Sequence, residues 1–412
     1  MMKPRPEGAA DIPQFLSLMA GRWFGFEMPK SAWLGAIILV CATAGAIAVP
    51  GDQAGDAVYT NIIVSAEPWS IHVIKIPRSN ATYEIRSRHA GEGALGMSPL
   101  SEHIAGLRTT AGKPVAAING GFYRRDKAYA GAARGLQIVD GEILSAPNGG
   151  PCFWMDVGGG PHIENIKSQF QIIWPDGRNT TFELNSERGD SSVVLYTPAM
   201  GTPTFATNGI EFVLEKQDGG RWLPLRAGRA FPAKVKAVQQ AGNPAFTPGT
   251  MIVSVGGKLA EQFRKVQPGD TLQISTATSP SLSVARNALA AGPVLVRNGR
   301  RQKISAAPDD AYESSSMIER HPRSAIGWNT DWYFLVVVDG RQRDVSDGMT
   351  LEELGGFLVR LGCEEALNLD GGGSSTLWFD GSVRNNPCDG YERPIATSLV
   401  VVQKEAKGSA RP

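Results

Sequence analysis

The chain has 412 residues, 42% hydrophobic and 20% charged, with a formal net charge of +1 at pH 7. That length allows one large domain or two ordinary ones, each with a true core. Near-neutral charge with no basic run excludes the electrostatic footprint of a nucleic-acid binder, and 48 glycines predict many turns and few long helices.

Trp33–Val49 (WLGAIILVCATAGAIAV) carries no charge, follows Arg22 and Lys30, and precedes Pro50 and Gly51. With its small-x-small pattern Ala46-Ile47-Ala48 it reads as an export signal with a long amino-terminal region. It is also just long enough for a single membrane anchor. Either reading places the remainder outside the cytoplasm, touching a membrane through this segment alone. The predicted domains are residues 1–49 as signal or anchor, 50–111 as a β-rich segment packing on the core, and 112–405 as the main domain.

Ile71–Ile76 and Thr82–Arg88 alternate as half-buried strands do, with a turn at Pro77–Asn80. His72 and His89, each alone on such a strand, read as structural. Val115–Asn119 is a short buried strand followed by Gly120 and Gly121, which is either an Asn-Gly turn or a site. Leu136–Val139, Asp140-Gly141 and Glu142–Leu144 form a hairpin, and short strands continue to about residue 275. Ala288–Arg297 is a glycine-broken strand. Trp332–Val338 (WYFLVVV) is a continuous apolar run and hence a central strand ending at Asp339. Thr350–Gly362 has a capping box at Thr350 and Glu353 and leucines at helical spacing.

The helix feeds Ala366–Leu369, and the chain then reads Asp370, Gly371, Gly372, Gly373, Ser374, Ser375. A carboxylate followed by three glycines and two serines predicts a ligand site, with freed amides cradling an anion. A helix leading into a buried strand points to an α/β (α+β) fold, with a mixed β-sheet core, flanking helices and a β-rich middle section. Beyond the leader lie Cys152, Cys363 and Cys388, without metal-type spacing. In an oxidising compartment one disulfide is expected. Cys363–Cys388, bracketing the glycine motif, is the preferred pair, and the other two pairings stay open. No GxSxG, HExxH or Walker A sequence is present. Two carboxylates with arginine suit hydrolysis at a sugar or phosphate centre.

The motifs AINGGFY (Ala117–Tyr123), RHPRSAIGW (Arg320–Trp328), VVVDGRQ (Val336–Gln342), ALNLDGGGSSTLW (Ala366–Trp378) and RPIATSLVV (Arg393–Val401) together resemble the phosphodiester glycosidase family, which includes the mannose 6-phosphate uncovering enzyme and exported bacterial proteins. The resemblance implies hydrolysis of the C1–O bond of a sugar-1-phosphodiester, with an N-acetylhexosamine-like sugar, leaving a phosphomonoester. It implies Asp370, Asp339, Asn119 and Arg323 as catalytic residues, with Asp370 and Asp339 as the acid/base and charge-stabilising pair. Gly120, Gly121, Gly371, Gly372, Gly373, Ser374, Ser375 and Arg393 would bind substrate. Thr397 departs from the family's pattern, which often carries Asn there. No metal or other cofactor is called for by ligand spacing, and the expected partner is a sugar phosphate or glycan. Two readings stay open beside it: a non-catalytic glycan-binding or exopolysaccharide-assembly protein, and a phosphodiesterase cutting the P–O bond.

Overall fold

A computed structural model describes Ile37–Leu39 and residues 55–405, apart from residues 92, 108, 126, 202, 203, 206, 207, 219, 241–243 and 305–313. The predicted signal or anchor lies outside the described residues except for Ile37–Leu39, a three-residue strand. Among the described residues no helix is long and apolar enough to cross a membrane. Gly35–Pro412 forms one compact unit.

The architecture is mostly β, which corrects the α/β expectation. The elements around the site are β1 (Val58–Val64), β2 (Trp69–Pro77), β3 (Tyr83–His89), β4 (Lys113–Asn119), β5 (Arg323–Trp328), β6 (Trp332–Val338), α1 (Leu351–Arg360), β7 (Glu365–Asn368), β8 (Leu377–Phe379) and β9 (Thr397–Gln403). One sheet runs β1-β2-β6-β5-β7, and each of these neighbours is antiparallel. It continues through Val294–Arg297, while Asn287–Ala290 pairs elsewhere, so the glycine-broken run serves two sheets. A second sheet runs β8-β4-β9-β3, again antiparallel.

The two sheets pack face to face, and strand alternation explains the apolar runs. In β6, Leu335 and Val337 point into the core with Ile118 of β4 and Leu399 of β9. Phe334 and Val336 point the other way, against Leu354, Phe357 and Leu358 of α1. A strand covered on both sides needs an uninterrupted apolar sequence, so WYFLVVV does not signal a parallel sheet. The helix begins where its sequence says. Thr350 Oγ1 accepts the Glu353 amide (3.1 Å), and Glu353 Oε2 accepts the Thr350 amide (2.8 Å). The helix covers an antiparallel sheet instead of crossing between parallel strands, which is why the α/β inference failed.

Residues 137–290 build a third sheet that curls into a nearly closed barrel. Its ends meet where Asn185 Nδ2 donates to Leu144 O (2.9 Å). The Asp140-Gly141 hairpin is present, with φ of 48° and 87° at those two residues.

The disulfide expectation fails, because Cys152, Cys363 and Cys388 are all free. Cys363 is held in the apolar layer under α1, away from the Cys388 loop. Burial pushes the Cys152 thiol up to about 12 and raises Cys363 as well. A reducing agent is therefore expected to leave the melting temperature unchanged. Thiol labelling of the folded protein is expected at Cys388 first, since a thiolate is the reactive form. Mass spectrometry of labelled peptides checks the order.

Candidate active site

The site is gathered by one amide. Asn119, at the end of β4, is 1% exposed. Its Oδ1 accepts Ser324 Oγ (2.7 Å) and the Thr376 amide (3.2 Å), and its Nδ2 donates to Asp370 O (2.7 Å). Asp370 N–H in turn donates to Gly120 O (2.9 Å). The Asn119 side chain thus holds both flanks of the glycine turn, and it does not line the cavity beside that turn. Gly120 and Gly121 answer to crowding. A Cβ at Gly120 would sit 2.4 Å from Thr397 Oγ1, and one at Gly121 would sit 1.9 Å from Ala290 O.

The glycine turn has a similar logic. A Cβ on Gly371 would lie 2.9 Å from Pro322 O, and one on Gly373 would lie 2.0 Å from Arg393 Nη2. Gly372 has φ +60° and Arg341 Nη1 3.2 Å from its Cβ position. The glycines let two guanidinium groups rest on the backbone. The turn's amides are largely engaged. Gly371 N–H donates to Asp370 Oδ1 (2.9 Å), Gly372 N–H to Pro322 O (2.9 Å), Ser374 N–H to Gly371 O (3.2 Å) and Ser375 N–H to Gly372 O (3.1 Å). The amide cradle read from the sequence is therefore mostly closed, and cationic side chains supply the positive field.

Asp370, Gly371, Gly372, Arg323, Arg341, Arg393, His321 and Phe122 line one cavity of about 180 Å³. Larger cavities of about 460 and 380 Å³ lie elsewhere, and this one is singled out by chemistry, not size. Among its described lining residues Asp370 is the one carboxylate. Burial pushes that carboxyl up to about 6, against the pull of Ser374, the Gly371 amide, Arg393 and Arg125. Arg323 donates from Nε to Met349 O (2.7 Å) and from Nη2 to Ser316 O and Glu319 O (2.7 Å each). Burial and then Arg341 bring Arg323 down to about 10, so it stays cationic at neutral pH. Arg393 pairs with Asp389 (2.8 Å). Arg341 donates from Nε to His321 Nδ1 (3.3 Å). Burial and the neighbouring arginines lower His321, which is then neutral at pH 7.

Asp339 does not line this cavity. It is 2% exposed, and both of its oxygens accept protein donors, from Ser70, His72, Asn385 and Asn386. Ser374 and Ser375 are likewise buried, and neither lines the cavity. His321, Arg341 and Phe122 were missed from the sequence, although each stands inside a quoted motif. Arg341 follows an Asp-Gly pair that resembles an ordinary turn. Among the described residues no group of three or more His, Cys, Asp or Glu could hold a metal ion.

Residues 224–402 match the family model for phosphodiester glycosidases. The match covers somewhat less than half of the chain. The match takes in Arg323, Arg341, Asp370 and Arg393 but not Asn119. The SPbeta prophage-derived uncharacterized protein YomE of Bacillus subtilis (strain 168) is 33% identical over 118 residues, which are 28% of this chain and 17% of YomE. A hypothetical protein from Synechocystis has a similar structure, with TM-score 0.65, 20% identity, 85% of this chain and 64% of that chain covered. A protein of Burkholderia pseudomallei K96243 named a putative exported protein is similar at TM-score 0.62 and 21% identity, covering 81% of this chain and 74% of that one. These two likenesses show the fold. The chain spans less than two thirds of both YomE and the Synechocystis protein.

A carboxyl raised above its ordinary value costs stability when it ionises. The folded state holds the proton more tightly than the unfolded one, so stability falls as pH rises from about 4 to about 6 and stays lowered above. Asp370→Asn is always neutral. It is expected to melt higher than wild type at pH 7.5, with a stability gain of up to about 3 kcal/mol, and to show no such gain at pH 4. Thermal melts at the two pH values check this.

Proposed function

We propose that the protein is an exported hydrolase that cuts the C1–O bond of a sugar-1-phosphodiester, with an N-acetylhexosamine-like sugar, and leaves a phosphomonoester. The observation that carries the reading is one burial-raised carboxyl, Asp370, in a small cavity with Arg323, Arg341 and Arg393. The match of residues 224–402 to the phosphodiester glycosidase family model supports the reaction class. Export is supported by the apolar Trp33–Val49 segment and by the likeness to the Burkholderia protein named a putative exported protein.

The chemistry favours one division of labour. The departing group is a phosphomonoester, whose second pKa is about 6, so it needs its charge stabilised more than it needs a proton. The three guanidinium groups do that, and their planar forks suit phosphate oxygens. Asp370 then serves as general base. It takes a proton from water as the water oxygen attacks C1, and the C1–O electron pair leaves with the phosphate. A group near 6 is mostly ionised at neutral pH and ready for that role.

The expected kcat/KM rises with pH through about 6 and levels off above it, and Asp370→Asn loses about 10²–10⁴-fold in kcat. Assays of purified protein on a chromogenic sugar phosphodiester measure both. Hydrolysis in oxygen-18 water is expected to label the sugar. Label on phosphate would mean P–O cleavage, and glycan binding without turnover would make the site a binding module.

A further inference from the structure

We infer that Asp339 is the hub of a buried hydrogen-bond relay, running from Tyr59 through His72 to Asn385, that positions the cavity walls and takes no part in bond breaking. His72 Nδ1 lies 2.8 Å from Tyr59 Oη, and His72 Nε2 lies 2.8 Å from Asp339 Oδ2. Ser70 Oγ donates to the same oxygen (3.1 Å). Asp339 Oδ1 accepts the Asn386 amide (2.9 Å) and Asn385 Nδ2 (3.3 Å). Asn385 passes the restraint on, donating to Ser375 O (3.0 Å) and accepting the Leu377 amide (2.8 Å). Those contacts pin the chain just after the glycine turn that carries Asp370.

The other wall is fixed from the same residue. Asp339 O accepts Ser346 Oγ (2.6 Å), which in turn accepts the amides of Ser70 (3.2 Å) and Gly348 (3.4 Å). This folds back the loop from Gly340 to Gly348, which carries Arg341. A carboxylate ringed by protein donors and 2% exposed is poorly placed to meet substrate.

The donor pattern makes a specific demand. A carboxylate only accepts, so His72 Nε2 must carry the proton facing Asp339. Burial pushes Tyr59 up to about 12, so it remains a phenol and can bond Nδ1 as donor or acceptor. In Asp339→Asn the Asn386 amide and Asn385 still need an acceptor, which orients Oδ1 toward them. The new Nδ2 then faces His72 and Ser70 with two protons. His72 can answer by moving its own proton to Nδ1, toward Tyr59 Oη. The relay therefore tolerates Asn at 339, whereas leucine leaves four donors unanswered in the interior.

The inference rests on the phosphodiester reading for its turnover arm alone. Asp339→Asn is expected to fold, to bind inorganic phosphate within about tenfold of wild type, and to lose less than about tenfold in kcat, against the 10²–10⁴-fold of a lost acid or base. In nitrogen NMR its His72 Nε2 resonance is expected to move from the protonated to the unprotonated range. Asp339→Leu is expected to lose the fold. A folded Asp339→Asn that loses as much turnover as Asp370→Asn would make Asp339 a catalytic carboxylate and overturn the inference. An unmoved His72 resonance would overturn it too. If the wild type hydrolyses no sugar phosphodiester, the functional reading fails alone, and the His72 resonance and phosphate affinity still decide the relay.

Discussion

Everything at the candidate site depends on the Asn119 side chain. It is the point where the β4 sheet, the β5 strand and the two flanks of the glycine turn are tied together. An amide suits the task because it offers an acceptor and a donor in one rigid plane, and here both are used. A carboxylate could not donate to Asp370 O, and an apolar residue would leave Ser324, Thr376 and Asp370 with orphaned groups in a dry interior. The position of Asp370 follows from this clasp more than from the turn in which it sits.

The cavity also sets two electrostatic demands against each other. It draws several cations together, which anion recognition needs, and it buries a carboxyl among them, which chemistry needs. Each cation has a protein partner of its own. Arg323 leans on three backbone carbonyls, Arg393 on Asp389 and Arg341 on a neutral imidazole. Like charges face one another there, and an anion placed among them would relieve the repulsion. Asp370 offsets part of that repulsion, while desolvation still holds its pKa above the ordinary carboxylate value.

Some of this was legible in the sequence because local rules governed it. Thr350 and Glu353 predicted their own capping box, and Asp140-Gly141 predicted its hairpin. WYFLVVV announced a strand buried on both faces but was silent about its neighbours' direction. A helix leading into β7 points to an α/β layer, whereas here it covers an antiparallel sheet. At the site, the glycines marked the right turn for an incomplete reason. They make room for Arg341, Arg393 and the Pro322 carbonyl, and contacts from residues so distant in sequence leave no local pattern. His72 read as a lone histidine because its partners, Tyr59 and Asp339, meet it only across three strands.

The strand order also carries a consequence for how the chain reaches this state. β9, near the end of the described residues, lies between β3 and β4, and β6 pairs with β2. β2, β3 and β4 therefore wait for partners made more than two hundred residues later. The nearly closed barrel of residues 137–290 uses neighbours from its own stretch and can form while they wait. Such long-range closure is slow, because loop entropy must be overcome before the contacts reward it. The two-sheet half that carries the candidate site therefore completes last. That ordering leaves the candidate site unformed until the last strand is in place.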